Sequence, residues 1–375
     1  MKGKHLHIVS FDVPYPPSYG GVIDVYYKVL ALHQLGIKIT LHCFEYKGRP
    51  AAPELLAICE KVYYYPRKVS KGYLFSPKPY IVVTRTSEAL MANLLKDNHP
   101  ILFEGLHCTY YLDDKRLKKR FKIVRTHNIE HDYYENLAKV EKNMFKRFYF
   151  FSEAGKLKDF EKVLKHADLV AAISPNDAAN LAKRYKHVHN VTAFHPNDNL
   201  TAEQGKGNFA LYHGSLDVSE NNEAALFLVE KVFNTIKVPL VIAGNKPSKE
   251  LREAVATHSN VKIASDITTE EIHRLIRTAH INVLPTFQAT GIKLKLLAAL
   301  FNGRFCVANT PMVENTGLEQ LCTVADNAAD MRKAIEQLMK KEYNGVDTAL
   351  REEKLLHAFS NNENAKKLMG LIKWE

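Results

Sequence analysis

The stretch "FALYHGSLDVSENNEAALFLVEKVFNTIKVPLVIAG" (209–244) decides how the whole chain is read. Its first seven residues are an apolar run that ends on the small pair Gly214-Ser215. Residues 221–236 then place apolar side chains at helical spacing, with Asn221 or Asn222 positioned to cap the helix. A second apolar run, "PLVIAG", closes the unit at Gly244. Strands that are apolar throughout, without alternation, are buried on both faces. A strand–helix–strand of this kind predicts a parallel sheet covered by helices.

The same alternation runs outward in both directions. Downstream, "TTEEIHRLIRTA" (268–279) reads as a helix with a Thr cap and acids in its first turn. "HINVLPT" (280–286) is a strand. "PTFQATGIKLKLLAALFNGR" (285–304) passes from a strand end through a glycine turn into a helix, "RFCVANT" (304–310) is a strand, and helices follow from about 326. Upstream, the apolar runs at 6–12, 38–44, 62–66, 100–105, 121–128 and 167–174 read as strands, with helices over 22–36 and after Ser174. Residues 195–208, "HPNDNLTAEQGKGN", are polar and aperiodic and read as a linker. The expected class is therefore α/β. Two doubly wound, Rossmann-like domains face each other across a cleft: an N-terminal domain over 1–194 and a C-terminal domain over 209–375, with the last helices packing back on the first domain. Ligands of such domains bind outside the carboxyl ends of the strands, so the strand-to-helix turns are where chemistry is sought.

Composition narrows the partners. The chain has 375 residues, 46% of them apolar, and no run approaches the ~18 apolar residues of a membrane span. Its start, Met-Lys-Gly-Lys before a strand, has no apolar signal core, and its five cysteines show neither zinc nor redox spacing, so a cytoplasmic protein with reduced thiols is expected. The net charge of +11 is uneven: residues 1–194 hold 31 Lys and Arg against 19 Asp and Glu, while residues 195–375 hold 21 against 22. A basic first half points to an anionic surface, a phospholipid leaflet at the inner face of a membrane, a lipid-linked phosphate or a nucleic acid, with a solvated basic face that has no partner as the alternative. "DDKRLKKRFK" (113–122) and "KNMFKRFYFF" (142–151) carry this expectation, although the second also reads, more plainly, as a core helix with solvated lysines. No nucleic-acid-binding module accompanies the charge.

Five turns hold candidate site residues. In "PYPPSYGGVIDVYY" (14–27), Tyr19 precedes Gly20 and Gly21, which open a helix and let backbone amides approach a phosphate or sugar. The dinucleotide and Walker spacings are absent. In "RTHNIEHDYYENLA" (125–138), His127 ends a strand, followed by Asn128, Glu130 and His131. A strand-end histidine hydrogen-bonds a hydroxyl, donates to phosphate or moves a proton. No cysteine or carboxylate cluster elsewhere in the sequence completes a metal site with it, so none is expected. Gly214-Ser215 and Gly244 end two strands of the second domain. Finally, Gly291 turns into a helix carrying Lys293 and Lys295. In a regular helix two residues apart is about 200° apart, so Lys295 faces the turn while Lys293 sits on the far face or in an extended entry.

In this order the motifs resemble those of GT-B fold glycosyltransferases, in particular the family 4 group of retaining enzymes. The resemblance spans most of the chain: "PYPPSYGG", "RTHNIEH", "ADLVAAISPND", "YHGSLDVSENN", "VIAG" and "VLPTFQATGIKLKLLAALFNGRFCVANT". It implies a nucleotide-sugar donor on the C-terminal domain and a glycan or lipid-linked acceptor on the N-terminal one. It also implies transfer of a hexose with retention, and no cofactor or essential metal. His127 takes the catalytic place. Gly214, Ser215, Asn221, Asn222, Gly244, Thr290, Gly291, Lys293 and Lys295 take donor-binding places. Tyr19, Gly20, Gly21, Asn128 and His131 take places around the acceptor or phosphate loop. The family's two glutamates, eight positions apart, fall on Thr290 and Ala298, neither of which is acidic. That departure keeps a second expectation open, a catalytically silent protein that binds a sugar nucleotide or supports a partner enzyme.

Overall fold

The computed structural model describes residues 3–46, 48–141, 143–287, 293–314 and 316–374. Thr290 and Gly291 lie outside the described residues. The chain forms two compact units, one made of Met1–Pro196 with Phe359–Glu375 and the other of Asn197–Ala358.

The first unit is built on a seven-stranded parallel sheet in the order β3-β2-β1-β4-β5-β6-β7. Its strands are β1 (His5–Ser10), β2 (Lys38–Glu45), β3 (Lys61–Pro66), β4 (Ile101–Glu104), β5 (Lys122–Thr126), β6 (Leu169–Ala172) and β7 (Val188–Asn190). Its helices are α1 (Gly20–Gln34), α2 (Tyr80–Val83), α3 (Glu88–Leu94), α4 (Glu130–Val140), α5 (Met144–Phe160) and α6 (Pro175–Ala182). β4, β5 and β6 are buried at every position, β4 and β5 enclosing Glu104, Lys122 and Arg125 among their apolar residues. The strand order reverses between β1 and β4, the switch point at which such sheets bind ligands.

The second unit repeats the plan with six parallel strands in the order β10-β9-β8-β11-β12-β13. They are β8 (Ala210–His213), β9 (Leu240–Ala243), β10 (Val261–Ala264), β11 (Ile281–Leu284), β12 (Phe305–Ala308) and β13 (Thr323–Val324). Its helices are α7 (Ser219–Phe227), α8 (Lys249–Ala256), α9 (Thr269–Thr278), α10 (Leu294–Asn302), α11 (Thr310–Val313), α12 (Ala328–Leu338) and α13 (Gly345–Ala358). The Thr268 cap of α9 is a full capping box with Glu271. The last helix, α14 (Asn361–Leu371), belongs to the first unit, where Asn361 and Asn364 bond His195 O and Thr192 Oγ1 at 2.7 and 2.6 Å.

Three local expectations change. The helix after Gly214 starts at Ser219, and its N-cap, Val218, offers no side-chain bond. Asn221 and Asn222 therefore sit inside the helix and do not cap it. Second, β7, β10 and β13 have no counterpart in the sequence reading; none is buried along its whole length, so no unbroken apolar run marks them. Third, the start of α5 is not a core helix. Residues 143–148 are exposed on every side of it. The polar stretch after Pro196 is aperiodic but bound to the second unit. Thr201 N donates to Phe301 O at 2.9 Å, Asn302 Nδ2 donates to Asn197 Oδ1 at 2.7 Å, and Arg304 meets Glu203 at 3.1 Å.

Candidate active site

In the first unit, charged side chains gather at the carboxyl ends of β4 and β5. Asp24 and Lys28 come from one face of α1, Glu104 ends β4, Arg125 lies in β5 and His127 follows it. Arg125 grips Asp24 with two donors, Nη2 to Oδ1 at 2.8 Å and Nε to Oδ2 at 3.2 Å. Lys28 Nζ bridges Asp24 at 2.8 Å and Glu104 at 2.7 Å. The Phe194 amide also donates to Asp24, at 2.8 Å. Asp24, Lys28, Glu104 and Arg125 are all essentially inaccessible to water. Burial alone would raise the Asp24 carboxyl, but Arg125 and Lys28 outweigh it and hold the group well below the ordinary carboxylate range. The two acids and two cations balance, which is what permits four buried charges.

His127 is the polar outlet of this network. Its Nε2 lies 3.0 Å from Glu104 Oε2 and 4.0 Å from Asp24 Oδ2. A carboxylate only accepts, so Nε2 carries the hydrogen in this contact, which leaves Nδ1 for a second partner. Phe11 packs edge-on against the ring, with centroids 5.5 Å apart. Gly21 makes room for Phe11, since a Cβ there would lie 2.7 Å from the tip of its ring. Asp24, Glu104 and His127 form a carboxylate–histidine cluster within 4.8 Å. This corrects the expectation that no carboxylates meet His127: they arrive from α1 and β4, far away in sequence. Lys28 and Arg125 already neutralise both acids, so a divalent cation would have to displace one of them.

The other residues marked in the first unit are placed as follows. Tyr19 is the N-cap residue of α1, and its hydroxyl donates to Asp12 at 2.6 Å. Gly20 begins the helix and is exposed. Asn128 is half-buried beside His127. His131 is turned to Glu161, at 3.3 Å, which raises its pKa. Glu130 is buried at the start of α4, and that burial pushes its carboxyl up to about 8.

In the second unit the turn after β8 and the start of α10 come together at the β8/β11 switch point. Lys293 is the residue before α10, with an extended backbone (φ −77°, ψ 109°), and Lys295 lies in the first turn. The extended entry cancels the 200° separation of a regular helix. Both lysines reach the first turn of α7: Lys293 Nζ is 3.2 Å from Glu220 Oε1, and Lys295 Nζ donates to Asn221 Oδ1 at 2.9 Å. Thr286, just past β11, also donates to Glu220. Asn221 binds the turn itself, its Nδ2 donating to Ser215 O at 3.0 Å. Asn222 Oδ1 instead receives Ser248 N and ties α7 to α8. Ser215 Oγ donates to Asp217 at 2.9 Å. Gly244 is where the β9 turn crosses the Gly214 backbone; a Cβ there would stand 1.9 Å from Gly214 O.

Lys293 is matched by a carboxylate, whereas Lys295 contacts a neutral amide oxygen and lies 5.4 Å from the centre of the Tyr212 ring. Burial lowers the Lys295 pKa to about 8, against the pull of Glu220 and with the push of Lys293. His213, buried at the end of β8, is lowered to about 3 by burial and by Lys295. The site thus offers cationic charge and the positive end of a helix to an anion. Glu220 and Thr286 were missed in the sequence, although an acid one residue before Asn221, in the first turn of a helix, was a readable signal. Ala298 packs beside the small apolar cluster of Leu211, Ala243, Ile276 and Ala279.

Residues 207–341 match the family described as glycosyl transferases group 1. With its two parallel-sheet α/β domains, the chain has the GT-B fold. A Klebsiella pneumoniae protein called "Uncharacterized 44.6 kDa protein in cps region" is 26% identical over 97% of this chain and 98% of its own length. Among solved structures, TarM superposes with a TM-score of 0.66 at 11% identity, covering 99% of each chain. Sucrose-phosphate synthase from Thermosynechococcus elongatus gives 0.64 at 14% identity, covering 98% of this chain and 94% of its own. The structure described as "Trehalose-6-phosphate from E. coli bound with UDP-2-fluoro glucose" gives 0.60 at 11% identity, covering 99% and 100%. At these identities the structural likeness is one of fold.

Proposed function

We propose that the protein moves a hexose-type sugar from a nucleotide-sugar donor to a glycan or lipid-linked acceptor, with retention and without an essential metal, in the synthesis of a surface polysaccharide. The observation that carries the donor half is the convergence of Lys293 and Lys295 on the first turn of α7, beside the Gly214-Ser215 turn. As the glycosidic bond breaks, negative charge develops on the leaving diphosphate. Prepositioned amides and a lysine stabilise that charge in the role a metal ion plays elsewhere. The cps-region relative supports a polysaccharide product, and the UDP-2-fluoro glucose bound to the E. coli protein supports a nucleotide-sugar donor. His127 stands on the first unit with Nδ1 left for a sugar hydroxyl. The acceptor belongs to the same basic unit, which works at the cytoplasmic face of an anionic membrane.

Calorimetry with UDP-, GDP-, TDP- and CMP-sugars tests this reading. Binding of one donor accompanied by slow donor hydrolysis or transfer supports it, and failure of all four to bind refutes it. Binding without hydrolysis or transfer favours the silent alternative, whose motive is Ala298 where the family has an acid. His127→Ala is expected to reduce transfer about 100-fold, the scale of one lost proton-transfer group, while donor affinity stays unchanged. Unaltered turnover removes His127 from the catalytic set.

A further inference from the structure

The helical hairpin of α4 and α5 has one end fixed and one end bare. From Glu153 onward α5 is held to the first unit. Glu153 Oε2 accepts the Tyr80 amide at 2.6 Å, Lys156 Nζ donates to Leu74 O at 2.7 Å, and Ala154 and Leu157 are buried. The first two turns are different. Met144 is 82% exposed, Phe145 89%, Phe148 76% and Phe151 45%. These turns are well formed, because Asn143 caps them through the Phe145 and Lys146 amides, both at 3.1 Å.

At about 100° per residue, Met144, Phe145, Phe148 and Phe151 fall within an arc of about 120°. Arg147 lies about 40° beyond one edge of that arc, and Lys146 about 100° beyond the other, nearly opposite its middle. By sequence, residues 139–151 carry four cations (Lys139, Lys142, Lys146 and Arg147) against the single acid Glu141. Phe75, 91% exposed, sits in the turn (Lys71–Phe75) whose Leu74 carbonyl is bound by Lys156. A continuous apolar stripe of this kind is rarely left in water without a partner.

We propose that residues 144–151 of α5 are an interfacial anchor that lies in the surface of an anionic bilayer. Phe145 and Phe148 enter the headgroup–acyl boundary, Arg147 rests on lipid phosphates at the flank, and Lys146 adds positive charge from the opposite side of the helix. Charge complementarity selects this occupant, since an exposed aromatic face in a segment with four cations against one acid matches the layering of an anionic leaflet. The inference deepens the membrane reading above and rests on it for its purpose, but vesicle binding is measured without any transfer reaction.

The test is flotation of the full chain with vesicles of phosphatidylglycerol and phosphatidylcholine in equal parts, at low salt, beside vesicles of phosphatidylcholine alone. The wild type is expected to float with the anionic vesicles only. F145E/F148E and K146E/R147E are each expected to lose binding about tenfold or more. Calorimetric donor binding, together with an unchanged urea transition, shows that the variants remain folded and separates failure of the anchor from failure of the donor reading. Trp374 is the sole tryptophan, so a Phe148→Trp, Trp374→Phe chain reports directly. Its emission is expected to shift to the blue on adding anionic vesicles. Three results overturn the proposal: no binding by the wild type, undiminished binding by F145E/F148E, or a wild-type dimer in sedimentation that F145E/F148E converts to monomer, which gives the face to a second copy.

Discussion

Asp24→Asn removes one charge from the buried network of the first unit while keeping the side chain's size. The carboxylate accepts from Lys28, twice from Arg125 and once from the Phe194 amide. In the variant, Lys28 keeps Glu104 at 2.7 Å, and Arg125 keeps the carbonyls of Val191 and Thr192. Breaking a buried ion pair from one side costs about 3–5 kcal/mol. The retained partners and the remaining amide oxygen put this case near 3 kcal/mol. A urea slope of about 2 kcal/mol/M converts that to a midpoint lowered by about 1.5 M. Trp374 lies in the first unit, its indole donating to Met369 O at 3.0 Å, so its fluorescence follows the unfolding of that unit. The sign of the pH dependence is also set. A carboxyl whose folded pKa is depressed contributes fully above its unfolded value, about 4, and loses the contribution as pH falls through the folded one. The penalty of Asp24→Asn is therefore flat from pH 8 to 5 and shrinks only in stronger acid. A midpoint shift below about 0.3 M, or a penalty that grows from pH 8 to 5, refutes the account of a network held by paired charge.

Three further outcomes are expected. Lys295, at about 8, is part-neutral near that pH, and a bound diphosphate favours its charged form. Nucleoside diphosphate binding should then take up protons near pH 8–9 and weaken above it, as calorimetry in buffers of different ionisation enthalpy will show. Lys295→Ala is expected to abolish the uptake and to cost about 10–100-fold in affinity, the scale of a charge-assisted hydrogen bond. Gly244→Ala drives a methyl into Gly214 O; it is expected to destabilise the second unit by about 1–3 kcal/mol and weaken donor binding with it, measured by thermal melting and calorimetry. Burial lowers His7 to about 4 despite Asp97, so the unfolded chain takes up the proton first. The first unit is expected to lose about 3 kcal/mol between pH 6.5 and 4, read from urea midpoints followed by Trp374. His7→Gln should remove about one proton from that slope.

The candidate site was only partly legible in the sequence. Gly214, Gly244 and Lys295 stand at turns that the strand pattern marks. His127 was visible as a strand-end histidine, but its partner Glu104 was not singled out. Glu104 and Arg125 do leave a trace, as charges inside runs that are otherwise apolar and fully buried, and such charges must be paired somewhere. The trace does not name the partner. Arg125 meets Asp24 across 101 residues, and Lys295 meets Asn221 across 74.

The sequence alone determined the α/β class, the two successive sheets and the turns at their carboxyl ends. Those features follow from local period and from residues whose backbone or charge acts where it stands. Tertiary structure alone decided three things. It set Lys293 in an extended entry, so that two lysines reach one helix end. It gathered Asp24, Lys28, Glu104, Arg125 and His127 into one balanced cluster. It also left Phe145 and Phe148 in water, although "MFKRFYFF" is aromatic on nearly every face and its period cannot say which face is covered. In each case the deciding contacts join segments distant in the chain, and a local pattern carries no record of which distant segment arrives.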